Sequence, residues 1–307
     1  MPADPSELTF RARAGYFATN AILRGLIGLA LLVPYRWRIP AMGWLVSRIL
    51  APLSGLRKRI RDNLALVCPE LPEHEVRRLC RAVPDNAGRT IIELYSGREF
   101  VDHVRDTPIS GPGLAALEEA RAAGRPVVLM TGHFGNYDVA RANLIRRGHK
   151  MGSLYRRMSN PYFNDHYVRT IKGIGEPMFE QGRRGMMEMV RHLRKSGIIA
   201  IVGDLHVHGG RELLFFGKPA VTSVVPAELA LKHNAALIPI YAVRQPDGLS
   251  FELVMQAPIA HSDAETMTQK INDGLEDLVR DHMDQWFWIH RRWKPWYNLG
   301  LQSEGGA

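Results

Sequence analysis

Arg125-Pro-Val-Val-Leu-Met-Thr-Gly-His-Phe-Gly-Asn-Tyr-Asp138 decides how the rest of the chain is read. Its first half is a short apolar run between Pro126 and Gly132, the pattern of a strand buried on both faces. Its second half is glycine-rich and polar, and carries a histidine, an asparagine and an aspartate. A buried strand emptying into such a loop is where an α/β protein sets its chemistry. Outward from it the texture repeats. Further strands are expected at Gly152–Tyr155, Ile198–Val202, Ala236–Val243 and Ser250–Met255. Helices are expected at Tyr137–Arg147, Pro161–Ile171, Gly185–Arg194, Ala227–His233 and Thr266–Asp284. Alternation of this kind predicts an α/β fold, a layered sheet flanked by helices.

Within the loop, His133 is the residue able to take up a proton near neutral pH, and Asp138 is the natural partner to orient its ring. On a regular helix, positions five apart lie about 140° apart around the axis. The pair can therefore meet only where the backbone leaves helical geometry, which Gly132 and Gly135 allow. Alone, His133 reads equally as a hydrogen-bonded core or capping histidine. Asn136 suits the cap of the following helix, and substrate contact is its second reading. Asp204 ends the apolar run Ile198–Gly203, the usual location of functional side chains in such a sheet. His206 and His208 form an HxH without further ligands nearby and read as loop histidines, so no metal is expected. Thr222 and Ser223 are expected to cap the next helix.

The chain has 307 residues and a formal charge of +9, with 40 Lys and Arg against 31 Asp and Glu. That charge suits nucleic acid, an anionic membrane surface or an acidic partner, and does not choose among them. Cys68 and Cys80 have no metal or redox spacing and read as buried thiols of a reducing compartment. No cleavable signal is apparent. Residues 1–85 read as a helical membrane-anchoring region, 86–300 as the α/β domain and 301–307 as a frayed tail. The run Ala21–Pro34 is apolar apart from Arg24 and falls short of the ~20 residues of a spanning helix. A second run, Ile39–Leu53, is broken by Pro40, Arg48 and Pro52, and Arg36, Arg38, Arg57, Lys58, Arg59 and Arg61 lie around the two. Apolar faces among cations predict a monotopic, membrane-associating segment.

His133-x4-Asp138 resembles the signature of the glycerolipid acyltransferase superfamily, and HFGNYD its lipid A branch, the late lauroyl/myristoyl acyltransferases. Three further blocks are similar to that branch in order: Tyr155-Arg-Arg-Met-Ser-Asn-Pro161, Phe215-Phe-Gly-Lys-Pro-Ala-Val-Thr222 and Gln285-Trp-Phe-Trp-Ile-His-Arg-Arg-Trp-Lys294. Arg61-Asp-Asn-Leu64 followed by Cys68-Pro-Glu70 also fits. The resemblance implies acyl transfer from acyl carrier protein to a hydroxyl of a lipid A precursor, without cofactor or covalent intermediate, at the cytoplasmic face of a bacterial inner membrane. His133 would be the base and Asp138 its orienter. Arg156 or Arg157 would bind substrate, and Phe216 and Gly217 would shape the acceptor and acyl site. The branch commonly has Gln after the acidic residue at position 204, whereas this chain has Leu205; Asp204 would touch substrate or position Arg156, Arg157 or Arg211.

Arg183, Arg184, Arg191, Arg194 and Lys195 offer a docking face for an acidic carrier, or simply a solvated helix face. Trp286, Trp288, Trp293 and Trp296 with nearby cations suit a membrane interface or packing. Another branch, acting on a lysophospholipid, glycerol phosphate or a phosphoinositol mannoside, would use the same chemistry. A basic nucleic-acid-binding protein is the alternative from a different class, and the apolar Leu26–Val33 run argues against it.

Overall fold

In the computed structural model, residues 8–294 are described; Trp296 and the tail expected over 301–307 lie outside them. The chain opens with helices α1 (Phe10–Leu31), α2 (Tyr35–Leu45), a π-helical turn (Val46–Leu50), α3 (Ala51–Leu53), α4 (Leu56–Val67), α5 (Glu73–Tyr95) and α6 (Arg98–His103). Then come β1 (Ile109–Ser110), α7 (Gly113–Ala122), β2 (Val127–Thr131), α8 (Asp138–Arg146), β3 (Met151–Tyr155), α9 (Pro161–Ile174), β4 (Met178–Glu180), α10 (Arg183–Arg194) and β5 (Ile198–Val202). A hairpin of β6 (Arg211–Phe215) and β7 (Lys218–Thr222) leads to α11 (Val225–His233), β8 (Ala236–Arg244), β9 (Phe251–Met255), α12 (Ala264–Asp281) and a 3-10 turn (Met283–Gln285).

Seven strands form one sheet in the order β1-β9-β8-β2-β5-β3-β4. Strands β8, β2, β5, β3 and β4 run parallel, and β9 runs antiparallel to β8. All five residues of β2 are buried, as the uninterrupted apolar run predicts for a parallel strand covered on both faces. Its side chains alternate between layers. Val127 and Leu129 pack with Leu117 of α7 and Val139 of α8, while Val128 and Met130 pack with Leu193 of α10, Ala230 of α11 and Ile271 of α12. The expected layered α/β architecture is therefore present.

A third core joins the helical N-terminus to the sheet. Ile60, Leu64, Leu79 and Val83 of α4 and α5 pack with Phe134, Phe215, Phe216, Trp286, Trp288 and Trp293. The three tryptophans are buried, so they are packing residues rather than interfacial ones. Helix α5 is continuous from Glu73 to Tyr95, so the boundary expected at residue 85 falls inside one helix. Cys68 and Cys80 are buried and unpaired, and burial pushes the Cys68 thiol up to about 11.

The N-terminus differs from expectation in length. Helix α1 has 22 residues, starting at Phe10 rather than Ala21, and is the one described helix long and apolar enough to cross a membrane. Phe10, Phe17, Ile22, Leu26 and Leu29 are exposed along it. It touches the body through α9, where the Asn160 side-chain amide donates to the Tyr16 carbonyl at 2.9 Å. Arg38, expected among the surface cations, is buried. It donates to the carbonyls of Leu31 (3.1 Å) and Val33 (2.9 Å) at the end of α1 and pairs with Glu99.

Candidate active site

The parallel strands end on one edge, and the chemistry gathers there. Strands β2 and β5 are neighbours, with Thr131 opposite Val202. His133 and Asp204 each lie two residues beyond that matched pair, so equal overhangs bring them together. His133 Nδ1 is 2.7 Å from one Asp204 oxygen, and the His133 backbone N–H donates to the other at 2.8 Å. The Trp286 indole N–H donates to that second oxygen at 2.9 Å. Burial raises the Asp204 carboxyl, but the adjoining imidazole and these N–H donors outweigh it and hold the group below the usual carboxylate range. The carboxylate orients the ring through Nδ1, and Nε2 has no protein partner among the described residues.

Asp138, the expected orienter, is not His133's partner. It begins α8, which turns back along the sheet, and its carboxylate receives two hydrogen bonds from Arg141 at 2.5 and 2.9 Å. Arg141 also donates to the carbonyls of Ile171 and Gly175, so Asp138 anchors α8 to α9. Asp204 likewise does not position an arginine: Arg211 pairs with Glu265 at 3.1 Å instead.

His133 lines a cavity of about 210 Å³ whose other walls are mostly apolar: Val83, Ala87 and Ile91 of α5, with Trp286 and Phe287. The rings of Tyr137 and Phe287 flank the imidazole at centroid distances of 5.3 and 5.7 Å. Burial pushes the Tyr137 hydroxyl well above its ordinary value, so it stays neutral. Asn136 is buried; its Oδ1 accepts from the Asp138 N–H at 3.0 Å and its amide donates to Glu93 at 2.8 Å. It is not the cap expected of it: the cap position of α8 is Tyr137, without a side-chain cap hydrogen bond, and Asn136 closes the turn just before the helix and ties it to α5.

The loop's position depends on residues that the sequence does not mark. Gly135 has φ +52°, and a Cβ there would lie 1.8 Å from the Ala242 carbonyl oxygen. Its own carbonyl accepts from Thr90 Oγ1 (2.9 Å) and Asn86 Nδ2 (3.2 Å), and its N–H donates to the Gln285 carbonyl at 2.9 Å. Behind it, the buried Arg244 guanidinium grips Glu93 at 2.5 and 2.8 Å and Asn86 at 2.8 Å. These partners are scattered over α5, β8 and the C-terminal segment. The one sequence signal among them is the Gln285-Trp286 block.

The remaining expected residues lie apart from the imidazole. Arg156 (exposed) and Arg157 (half-buried) follow β3, which is separated from β2 by β5, so they sit about 10 Å along the same edge. Phe216 and Gly217 form the two-residue turn of the β6–β7 hairpin, with φ +52° and +65°. Phe216 packs edge-on to Trp288 with Arg280 over its ring, inside the aromatic core and outside the cavity that His133 lines. Thr222 does not cap α11; it is buried and accepts from Arg292 at 2.5 Å. Arg183, Arg184, Arg191, Arg194 and Lys195 are all exposed on and after α10, and Arg184 pairs with Glu188.

The sequence model of the family described as bacterial lipid A biosynthesis acyltransferase matches residues 7–295. The chain is 25% identical over 246 residues to the lipid A biosynthesis lauroyltransferase of Escherichia coli (strain K12), covering 77% of this chain and 78% of that protein. It is also 25% identical over 283 residues to the phosphatidylinositol mannoside acyltransferase of Mycobacterium tuberculosis (strain ATCC 25618 / H37Rv), covering 82% and 87%. A lipid A biosynthesis acyltransferase of Haemophilus influenzae (strain ATCC 51907 / DSM 11121 / KW20 / Rd) is 25% identical over 261 residues, covering 82% and 81%.

Proposed function

Since the chain belongs to the bacterial lipid A biosynthesis acyltransferase family, we propose that it moves a fatty acyl chain from acyl carrier protein to a hydroxyl of a lipid A precursor at the cytoplasmic face of the inner membrane. The observation that carries the reading is the open Nε2 of His133 in an apolar cavity, with Nδ1 on an ionised, buried Asp204. The acceptor hydroxyl gives its proton to Nε2 as its oxygen attacks the thioester carbonyl. The carbon–sulfur bond breaks when the tetrahedral centre collapses, and the imidazolium returns the proton to the leaving thiolate. Asp204 stabilises the imidazolium in between, so no acyl-enzyme is needed. Arg156 and Arg157 serve as substrate-binding cations further along the edge. The exposed arginines of α10 are the docking face for the acidic carrier.

A second reading has a phosphatidylinositol mannoside as acceptor, because relatives bearing that name match with the same identity as those named for lipid A. One experiment decides. Full-length protein in detergent is incubated with acyl-carrier-protein thioesters and either a tetra-acylated lipid A precursor or a phosphatidylinositol mannoside, and mass spectrometry looks for one added chain. Addition to the lipid A precursor alone, abolished by His133→Ala, is the expected result. Addition to the mannoside alone moves the acceptor to the second reading. Transfer by the His133→Ala protein removes His133 as the base.

A further inference from the structure

A second cavity, larger than the one holding His133, is present among the described residues. It measures about 850 Å³ and lies beside it, with Asn86 and Gln285 lining both. Its walls carry six arginines, Arg48, Arg77, Arg78, Arg81, Arg89 and Arg244, against two carboxylates, Asp85 and Asp284. The concentration has a simple origin. On α5, His74, Arg77, Arg78, Arg81, Asp85 and Arg89 recur at three- and four-residue steps, so they form one stripe along the helix. Val83, Ala87 and Ile91 lie on roughly the opposite side of the helix and face the cavity that His133 lines, with Asn86 between the two faces. One helix thus presents cations to one chamber and hydrocarbon to the other.

Part of this charge is already matched. Arg89 holds Asp85 at 2.5 Å, Arg78 holds Glu75 at 2.7 Å, and Arg244 is committed to Glu93. Arg48 and Arg81 are exposed and have no carboxylate partner among the described residues. Arg48 and Trp44 come from the π-helical turn and α2; Trp44 is itself exposed, and the same two elements also expose Trp37, Ile49 and Leu50. The basin thus has the exposed Trp44 in its wall and shares Asn86 and Gln285 with the cavity that His133 lines. Its guanidinium-rich wall suits an anionic group.

We propose that this arginine basin holds the phosphate of the acceptor's headgroup while the acceptor hydroxyl reaches His133. The inference rests on the acyl-transfer reading above. Arginine forks match phosphate oxygens bidentately, and unmatched guanidinium groups on a helix stripe supply the charge without needing a buried cage. Arg48 and Arg81 carry the contact, and Arg77 completes it.

The test is direct binding, read by calorimetry in neutral detergent. Full-length protein carrying His133→Ala, which removes turnover, is titrated with a phosphorylated tetra-acylated lipid A precursor and with its phosphatase-treated counterpart. Adding Arg48→Gln and Arg81→Gln weakens binding of the phosphorylated acceptor roughly tenfold and leaves the dephosphorylated one unchanged. Arg48→Lys with Arg81→Lys keeps the charge but not the fork and loses less affinity than the glutamine pair, at an unchanged melting temperature, so the loss follows the charge rather than folding. Equal affinities for the two acceptors in the parent protein would overturn the proposal. So would losses that track the melting temperature, or a loss confined to phosphatidylglycerol vesicles, which would make the basin a membrane contact. If the parent binds phosphatidylinositol mannoside instead, the lipid A reading falls. Loss of that binding in the glutamine variant would still support the basin, and its persistence would overturn it.

Discussion

His133 takes its orientation from Asp204, a residue 71 positions away in sequence, and not from the aspartate five positions on. The consequence is a difference between two similar substitutions. Asp204→Asn should lower kcat by about a hundredfold or more, because the neutral amide no longer holds the tautomer or the imidazolium. Asp138→Asn should act on stability instead, by about 2–4 kcal/mol, since it strands the buried Arg141 guanidinium. Acyl-transfer kinetics beside thermal melts separate the two. A pH effect belongs to this scale as well. Burial pushes His290 from 6.5 down to about 4, and its Nε2 accepts the His206 backbone N–H at 3.1 Å, a bond that protonation breaks. The unfolded chain therefore binds this proton first, and the protein loses stability as pH falls from about 6.5 to about 4. His290→Asn should shallow that slope in denaturation midpoints taken at pH 5 and pH 7. Some slope should remain, because burial also shifts His149, His166, His206 and His233 downward. The histidine was legible because its loop follows an unmistakable buried strand. Its partner was not, because sequence separation carries no information about which strands lie side by side.

Elements explain why the loop can be trusted to hold its histidine. The turn after β2 is pressed against β8 at Gly135, with no room for a Cβ. Gly135→Ala should destabilise the fold by about 3 kcal/mol or more, through the clash and the positive φ together, and chemical denaturation would measure it. Glu93→Ala should cost about 3–5 kcal/mol by leaving Arg244 buried without its counter-charge, and the Asn136 tie would go with it. Strands β2, β5 and β8 were readable as uninterrupted apolar runs, since a parallel strand covered on both faces needs no polar residues. The β6–β7 hairpin was not. Its two-residue turn is Phe216-Gly217 rather than Asn-Gly, and the aromatic that resembled a substrate contact is there to fill the core under Trp288 and Trp293. The tryptophans were recognised as a block, but their burial came from Phe134, Phe215 and α4, which no local pattern connects.

Across the whole molecule, the N-terminal helices carry the exposed apolar surface, and α5 lines both the arginine-rich cavity and the cavity beside His133. Helix α1 exposes its apolar face and touches the body mainly at α9. Leu26→Asp with Leu29→Asp should shift the protein from the membrane pellet to the soluble fraction in a flotation assay, without lowering its melting temperature, because both side chains are exposed and unpacked. Retention in the pellet would mean that α2–α4 suffice for attachment. The α/β class, the strand that delivers His133, the basic and apolar character of the N-terminus, and the family are all legible along the chain. All of these are written in local patterns of hydrophobic period and residue type. It takes the folded chain to show that Asp204 rather than Asp138 meets the imidazole, that the three described tryptophans Trp286, Trp288 and Trp293 are core, and that the arginines of α5 line a cavity sharing residues with the one beside His133. Each of those depends on which distant segments share a sheet edge or a helix face, and that adjacency is set by packing the whole chain at once.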